Sequence, residues 1–341
     1  MTGAEETPSR NDAGAPSARG AGNGRKPRVP PAKALFVQGV LLAWLAVGCA
    51  TSPFTGRRSF QLLPEAQVQE LGASEYQNIL EQSELTDNER LAAQVRRIGE
   101  RIALAAEVAL EGEGDPGRLE GYEWEFNVVE SDEVNAFCLP GGKVVVYTGL
   151  LTVARDEDSL AVVMGHEIAH AIAEHGNERM SQVMAAQLGG VALDVALQDR
   201  PTEVRQLFAT AFGVGATVGV LLPFSRTHER EADEIGLFLS TIAGYDPRAA
   251  APLWERMAKV AASAPEFLST HPDPLERAER LRELVPEALE YREKYGPELE
   301  RRVRAADAQE KKQERKREKR DASLRWWPFV AAAPTSDPSV Q

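Results

Sequence analysis

Two histidines four residues apart, His166 and His170, sit in a stretch otherwise built for burial. Ala161, Val162, Val163, Ile168, Ala169 and Ile172 surround them. Asp156 to Ser159 supply acidic and capping residues for a helix predicted from about Leu160 to Gln187, which Gly189-Gly190 should end. Helix positions i and i+4 differ by about 40° around the axis, so both imidazoles leave one face and can grip one ion. Bare imidazoles in such a helix would be costly without a partner. Glu167 lies about 60° from His170, close enough to reach a water on that ion but poorly placed to be a third ligand. Zinc lowers the pKa of its water toward ~7, and a neighbouring carboxylate can take the proton as the oxygen attacks a peptide carbonyl. His166-Glu167-Ile168-Ala169-His170 therefore predicts a Zn2+ hydrolase centre with Glu167 as general base.

A catalytic zinc ion takes a third protein ligand and keeps one position open. The remaining histidines are His175, His228 and His271. One class of zinc peptidase uses a third His six residues after the second, beyond an intervening Gly. His175 comes five residues after His170 with no Gly between, so that class fits poorly. The other class takes a Glu from a later helix, and Glu229-Arg230-Glu231-Ala232-Asp233 offers one. Glu229 and Asp233 share a helical face, the first to bind metal and the second to accept the other N–H of a ligand His and fix its tautomer. Glu231 points elsewhere and reads as a solvated or salt-bridged carboxylate. His175 and His228 read as structural.

The first fifty residues address the protein rather than fold it. Residues 1–32 are rich in Gly, Ala, Pro, Ser and Arg, with too little apolar surface to offset the cost of ordering. Arg25, Lys26, Arg28 and Lys33 then precede an uncharged apolar run from Ala34 to Gly48, the pattern of a secretory signal. The run is shorter than the roughly 20 residues a spanning helix needs. Its end, Leu45-Ala46-Val47-Gly48-Cys49, resembles a bacterial lipobox, although Leu45 stands four residues before the Cys where the usual pattern has three. That resemblance implies lipidation of Cys49 and attachment to a membrane surface outside the cytoplasm. Ala50 after the Cys favours the outer membrane, facing the periplasm, in an organism with two membranes. Lipid on Cys49 would leave Cys138 without an intrachain partner, and Cys138 then reads as a small buried hydrophobe. The formal net charge of −13 argues against a nucleic-acid partner.

The rest of the chain reads as α+β and mainly α, with a small β-sheet. Thr51 to Leu63 is expected to lie extended against the domain. Helical periodicity runs through Val68, Leu71 and Tyr76, then Leu91, Val95, Ile98 and Ile102. Glu111 to Gly121 reads as an acidic loop, and Glu123–Glu130 and Lys143–Thr148 as strands. Residues 191–224 are apolar and Gly-rich, and are expected to form a helical flap over the site rather than a membrane span. A single crossing there would part Glu229 from His166 and His170. Helices are predicted from Arg226 to Ala243, Pro252 to Val260 and Pro274 to Leu284. The densely charged run Glu290–Arg320 reads as an exposed helix, and Trp326–Val330 as an apolar patch near the tail. The expected divisions are 1–48, a 49–63 leader, a 64–289 peptidase domain and a 290–341 charged segment and tail.

With these motifs in order, the chain resembles the HtpX-like and Oma-like zinc peptidases, and among them the BepA- and LoiP-type bacterial lipoproteins. The resemblance covers about Cys49 to Leu284. It rests on Thr51 to Arg58, on Asn135-Ala136-Phe137 with Leu139-Pro140-Gly141-Gly142, on Gly165 to His170, on Ser225-Arg226 through Glu229 to Asp233, and on Thr270-His271-Pro272. It implies a zincin-like fold, with His166, His170 and Glu229 as zinc ligands and Glu167 as base. It also implies that Asn135, Ala136 and Phe137 form an edge strand that pairs with extended substrate. For His271 it implies an active-site role, either approaching the metal in a resting state or stabilising the oxyanion. Misfolded or unassembled envelope proteins are the substrates it implies.

Overall fold

The computed structural model describes residues 49–188, 225–260, 271 and 273–330. The expected signal segment and the flap at 191–224 lie outside these residues. The chain begins with a hairpin in which β1 (Cys49–Thr51) pairs antiparallel with β2 (Arg58–Phe60). Two helices follow, α1 (Glu65–Gln82) and α2 (Glu89–Glu113). A three-stranded sheet comes next, built from β3 (Glu125–Val129), β4 (Ala136–Leu139) and β5 (Lys143–Tyr147) in the order β3-β5-β4. β3 runs parallel to β5 and β4 antiparallel to it, so β4 is an outer strand. The remaining helices are α3 (Glu157–Ile172), α4 (His175–Leu188), α5 (Arg226–Ile242), α6 (Ala250–Lys259) and α7 (Pro274–Val330). The architecture is mainly helical with small sheets, as the periodicities indicated.

The caps explain where the site-bearing helices begin. Asp156 accepts from the Ser159 backbone N–H at 2.7 Å, and Ser225 accepts from that of His228 at 3.2 Å. Each bond satisfies an N–H that the first helical turn leaves open. These caps start α3 ten residues before His166 and α5 four residues before Glu229. The two helices then touch backbone to backbone. A Cβ placed on Gly165 would meet the Gly236 carbonyl oxygen at 2.6 Å, and one on Gly236 would meet the His166 nitrogen at 2.6 Å. This contact brings the first turn of α5 level with the histidines. Gly236→Ala should therefore lower stability by about 1–3 kcal/mol, the usual effect of overpacking. A thermal melt of the metal-free protein would show it, and an unshifted midpoint would mean the helices part freely.

One helix was expected from Leu160 to Gln187, and the structure has two. The chain turns at Glu174, whose φ of 54° is left-handed without being glycine. Side chains from far upstream make this stop possible. Arg118 Nε donates to the Ile172 carbonyl at 2.8 Å and Tyr122 Oη to that of Ala171 at 2.9 Å, satisfying acceptors that a helix end leaves open. Arg118 also pairs with Glu174 at 2.9 Å. Another difference concerns Glu111 to Gly121, read as a loop. Helix α2 continues into it as far as Glu113, and Gly114 at φ 87° closes it.

Helix α7 also runs past the expected end at Leu284 and through residue 289. Tyr291 stacks on Phe238 with centroids 4.3 Å apart, while Tyr295 and Leu299 are buried. The first half of the charged run thus belongs to the folded unit, and Arg304 to Ala322 are exposed. The expected extended leader is instead folded into the hairpin, and the chain just after it lies against α4. The Leu62 N–H donates to Ser181 Oγ at 2.8 Å, and Asn177 Nδ2 donates to the Leu63 carbonyl at 3.1 Å.

Candidate metal centre

His166, Glu167 and His170 occupy the last three turns of α3, and all are buried. The Nε2 atoms of His166 and His170 are 3.0 Å apart, closing on a common point. Glu229, in the first turn of α5, reaches the same point. Its Oε2 is 3.6 Å from His166 Nε2 and its Oε1 3.4 Å from His170 Nε2. His271 arrives from the other side, with Nδ1 3.0 Å from Glu229 Oε1 and 3.3 Å from His166 Nε2. The ligand atoms of these four residues lie within 4.8 Å of one another.

Electrostatics suit this donor set to a cation. Burial pushes the His166 imidazole down to about 4 and that of His170 well below its usual value, so both keep lone pairs near neutral pH. Burial would raise the Glu229 carboxyl, but His271 and Arg277 outweigh it and hold Glu229 well below the ordinary carboxylate range. Three imidazole nitrogens and a carboxylate oxygen, converging and buried, fit zinc. Asp233 lies one turn beyond Glu229, with Oδ1 3.1 Å from His166 Nδ1. Glu167 Oε1 is buried and has no hydrogen-bond partner, and burial lifts its carboxyl to about 7 against the opposing effect of His271.

Some participants were not foreseen. Arg277, in the first turn of α7, lies between Glu229 and Asp233 of α5. Its Nε donates to Asp233 Oδ2 at 2.9 Å and its Nη2 to Asp233 Oδ1 at 2.6 Å. Its Nη1 is 2.8 Å from Glu229 Oε2, and its guanidinium carbon sits 3.4 Å from the centroid of the Trp254 ring. Only its position six residues after His271 pointed to it, and an Arg in a charged helix usually faces water. His175 and His228 are stacked, with centroids 4.5 Å apart. Glu231 is salt-bridged as one reading held, yet it is buried rather than solvated and lies 2.9 Å from His175 Nε2.

Ala136 and Phe137 lie in β4, an outer strand of the sheet, which packs against α3. Asn135 immediately precedes that strand, its side-chain Oδ1 accepting from the Ala136 N–H at 2.9 Å. Cys138 in the same strand is a buried free thiol, pushed well above its usual pKa by burial. Cys49 opens β1 opposite Phe60. No helix among the described residues is long and apolar enough to cross a membrane.

Helices α3 and α5, which bring two imidazoles and a carboxylate together beside a buried Glu, define a zincin-like metal centre. The chain belongs to Peptidase family M48, whose family model matches residues 89–285. It is 40% identical over 178 residues to the mitochondrial metalloendopeptidase OMA1 of Schizosaccharomyces pombe, covering 50% of this chain and 49% of the relative. It is 34% identical over 254 residues to the OMA1 metalloendopeptidase of Bos taurus, covering 71% of this chain and 47% of that one. It is also 31% identical over 179 residues to the beta-barrel assembly-enhancing protease of Escherichia coli, covering 49% of this chain and 37% of that protein. The chain thus spans about half the length, or less, of these curated relatives.

Proposed function

We propose that this chain is a zinc-dependent endopeptidase that cleaves misfolded or unassembled cell-envelope proteins while tethered to a membrane by lipid on Cys49. The convergence of His166, His170 and Glu229 beside the buried carboxyl of Glu167, whose Oε1 makes no hydrogen bond, carries the hydrolytic part of this reading. His166 Nε2, His170 Nε2 and an oxygen of Glu229 would hold the ion. Bound there, zinc supplies a Lewis acid that acidifies water and polarises a peptide carbonyl. Glu167 takes the water proton and delivers it to the leaving amine. Asp233 holds His166 with its Nδ1 proton directed away from the ligand point. His271 stands among the ligand atoms themselves, which favours a resting arrangement over an oxyanion contact in this conformation. The outer strand containing Ala136 and Phe137, with Asn135 at its start, would add extended substrate as a further strand, a mode that selects unfolded chains by backbone rather than sequence.

The relatives' names agree with the reading at the level of endopeptidase, and one of them is an assembly-enhancing protease. Stripping the metal with phenanthroline should abolish cleavage of an unfolded reporter such as casein, and one equivalent of Zn2+ should restore it. Cleavage that persists in the metal-free protein would sink the assignment. The anchor has its own test. Mass spectrometry of membrane-extracted protein should find an N-terminal peptide beginning at Cys49 with added diacylglycerol, and an unmodified Cys49 would remove the tether.

A further inference from the structure

His166 and His170 must both present Nε2 lone pairs to hold one ion, so each must carry its proton on Nδ1. For His166 the cause is direct, since Asp233 Oδ1 lies 3.1 Å from its Nδ1. For His170 the ring beside Nδ1 is another imidazole. His170 Nδ1 lies 2.9 Å from His175 Nδ1, and His175 Nε2 lies 2.9 Å from Glu231 Oε2. An ionised carboxylate accepts hydrogen bonds and donates none, so His175 carries its proton on Nε2. The neutral ring then offers a lone pair at Nδ1. Two nitrogens at 2.9 Å share one proton, which therefore belongs to His170 Nδ1. His170 Nε2 is left bare on the side of Glu229.

Two irregularities make this possible. The turn at Glu174 folds His175 back beside His170; in a continuous helix the two would point about 140° apart. Glu231 also faces away from Glu229 and Asp233 on α5, and it is through His175 that it reaches a ligand histidine. It is clamped from the N-terminal hairpin. Arg57 Nε donates to Glu231 Oε2 at 2.5 Å, and the Thr55 hydroxyl donates to Oε1. Arg57 also donates through both Nη atoms to Glu178, at 3.1 and 2.8 Å.

We propose that Glu231 and His175 act as a relay fixing His170 in the tautomer that binds zinc, and that Arg57 holds this relay, making the hairpin a determinant of zinc affinity. The inference rests on reading the His166, His170 and Glu229 cluster as the zinc centre. These are positioning residues, and substrate need not touch them.

Zinc dissociation constants of the purified full chain, measured by competition with a chromophoric chelator, test the relay directly. His175→Leu and Glu231→Gln should weaken zinc by about 10–100-fold, the usual effect of losing a partner behind a ligand His. Arg57→Met should weaken it by a smaller factor, with Arg57→Lys recovering part of the loss. The absorption bands of the cobalt-substituted protein should shift in the same order, while the metal-free melting midpoint of Arg57→Met stays close to wild type. Unchanged zinc affinity in His175→Leu overturns the relay. An affinity loss explained entirely by a melted metal-free fold overturns it as well. Wild-type affinity in Arg57→Met overturns the part given to the hairpin. If the wild-type chain binds no zinc, the reading of the cluster itself has failed, which is a separate and recognisable result.

Discussion

Glu167→Gln is expected to lower kcat/KM on unfolded casein by about 10²–10⁴-fold, the range attributed to a positioned general base. Zinc affinity should stay close to that of the unaltered chain. The substitution conserves shape and removes only the capacity to take a proton. Glu167 is buried at 3% exposure, and its Oε1 makes no hydrogen bond. A buried carboxyl left so is unfavourable for the fold, and its siting beside the two imidazoles proposed to bind metal gives that loss a chemical purpose. In the metal-free protein burial, set against the opposing charge of His271, raises the carboxyl to about 7. His271 Nε2 is 3.7 Å from Glu167 Oε1, close enough to feel its charge but beyond hydrogen-bond reach. Activity within twofold of wild type would assign the base to another group.

What the sequence made legible was local. Asp156 and Ser225 each precede a helix whose spacing puts the relevant residues on one face, so the pairs His166–His170 and Glu229–Asp233 could be read from order alone. What it hid was long-range. The break at Glu174 is flanked only by Gly176, a weak sign in a helix, because its cause is an Arg and a Tyr more than fifty residues upstream. Without that break His175 reads as a bystander, and Glu231, on the other face of its helix, reads as a solvated or salt-bridged carboxylate with no link to the site. The Gly165–Gly236 contact is equally hidden, since either glycine alone is only a weak residue in a helix. Arg277 was obscured by its surroundings, a helix whose other charges mostly face water. Buried polar networks are drawn from several elements at once, and periodicity within one element cannot show them.

Arg277→Met should give the largest stability change. Metal-free protein is expected to lose about 3–5 kcal/mol in urea unfolding, the effect of removing one partner from a buried ionic cluster. Methionine retains an apolar stem against Trp254, so most of the packing survives and the deficit is electrostatic. Without the guanidinium, Glu229 and Asp233 remain buried on successive turns of α5, two like charges with a cation removed from between them. Zinc should reduce the deficit, because an ion among His166, His170 and Glu229 restores positive charge beside one of the two carboxylates. Asp233 gains less, since it faces the far nitrogen of His166. The destabilisation should therefore be larger without zinc than with it, and Asp233→Asn added to Arg277→Met should recover part of it in both states. A metal-free loss under about 1 kcal/mol would mean that water reaches these carboxylates as the site opens, and that Arg277 is not what holds α5 against α7.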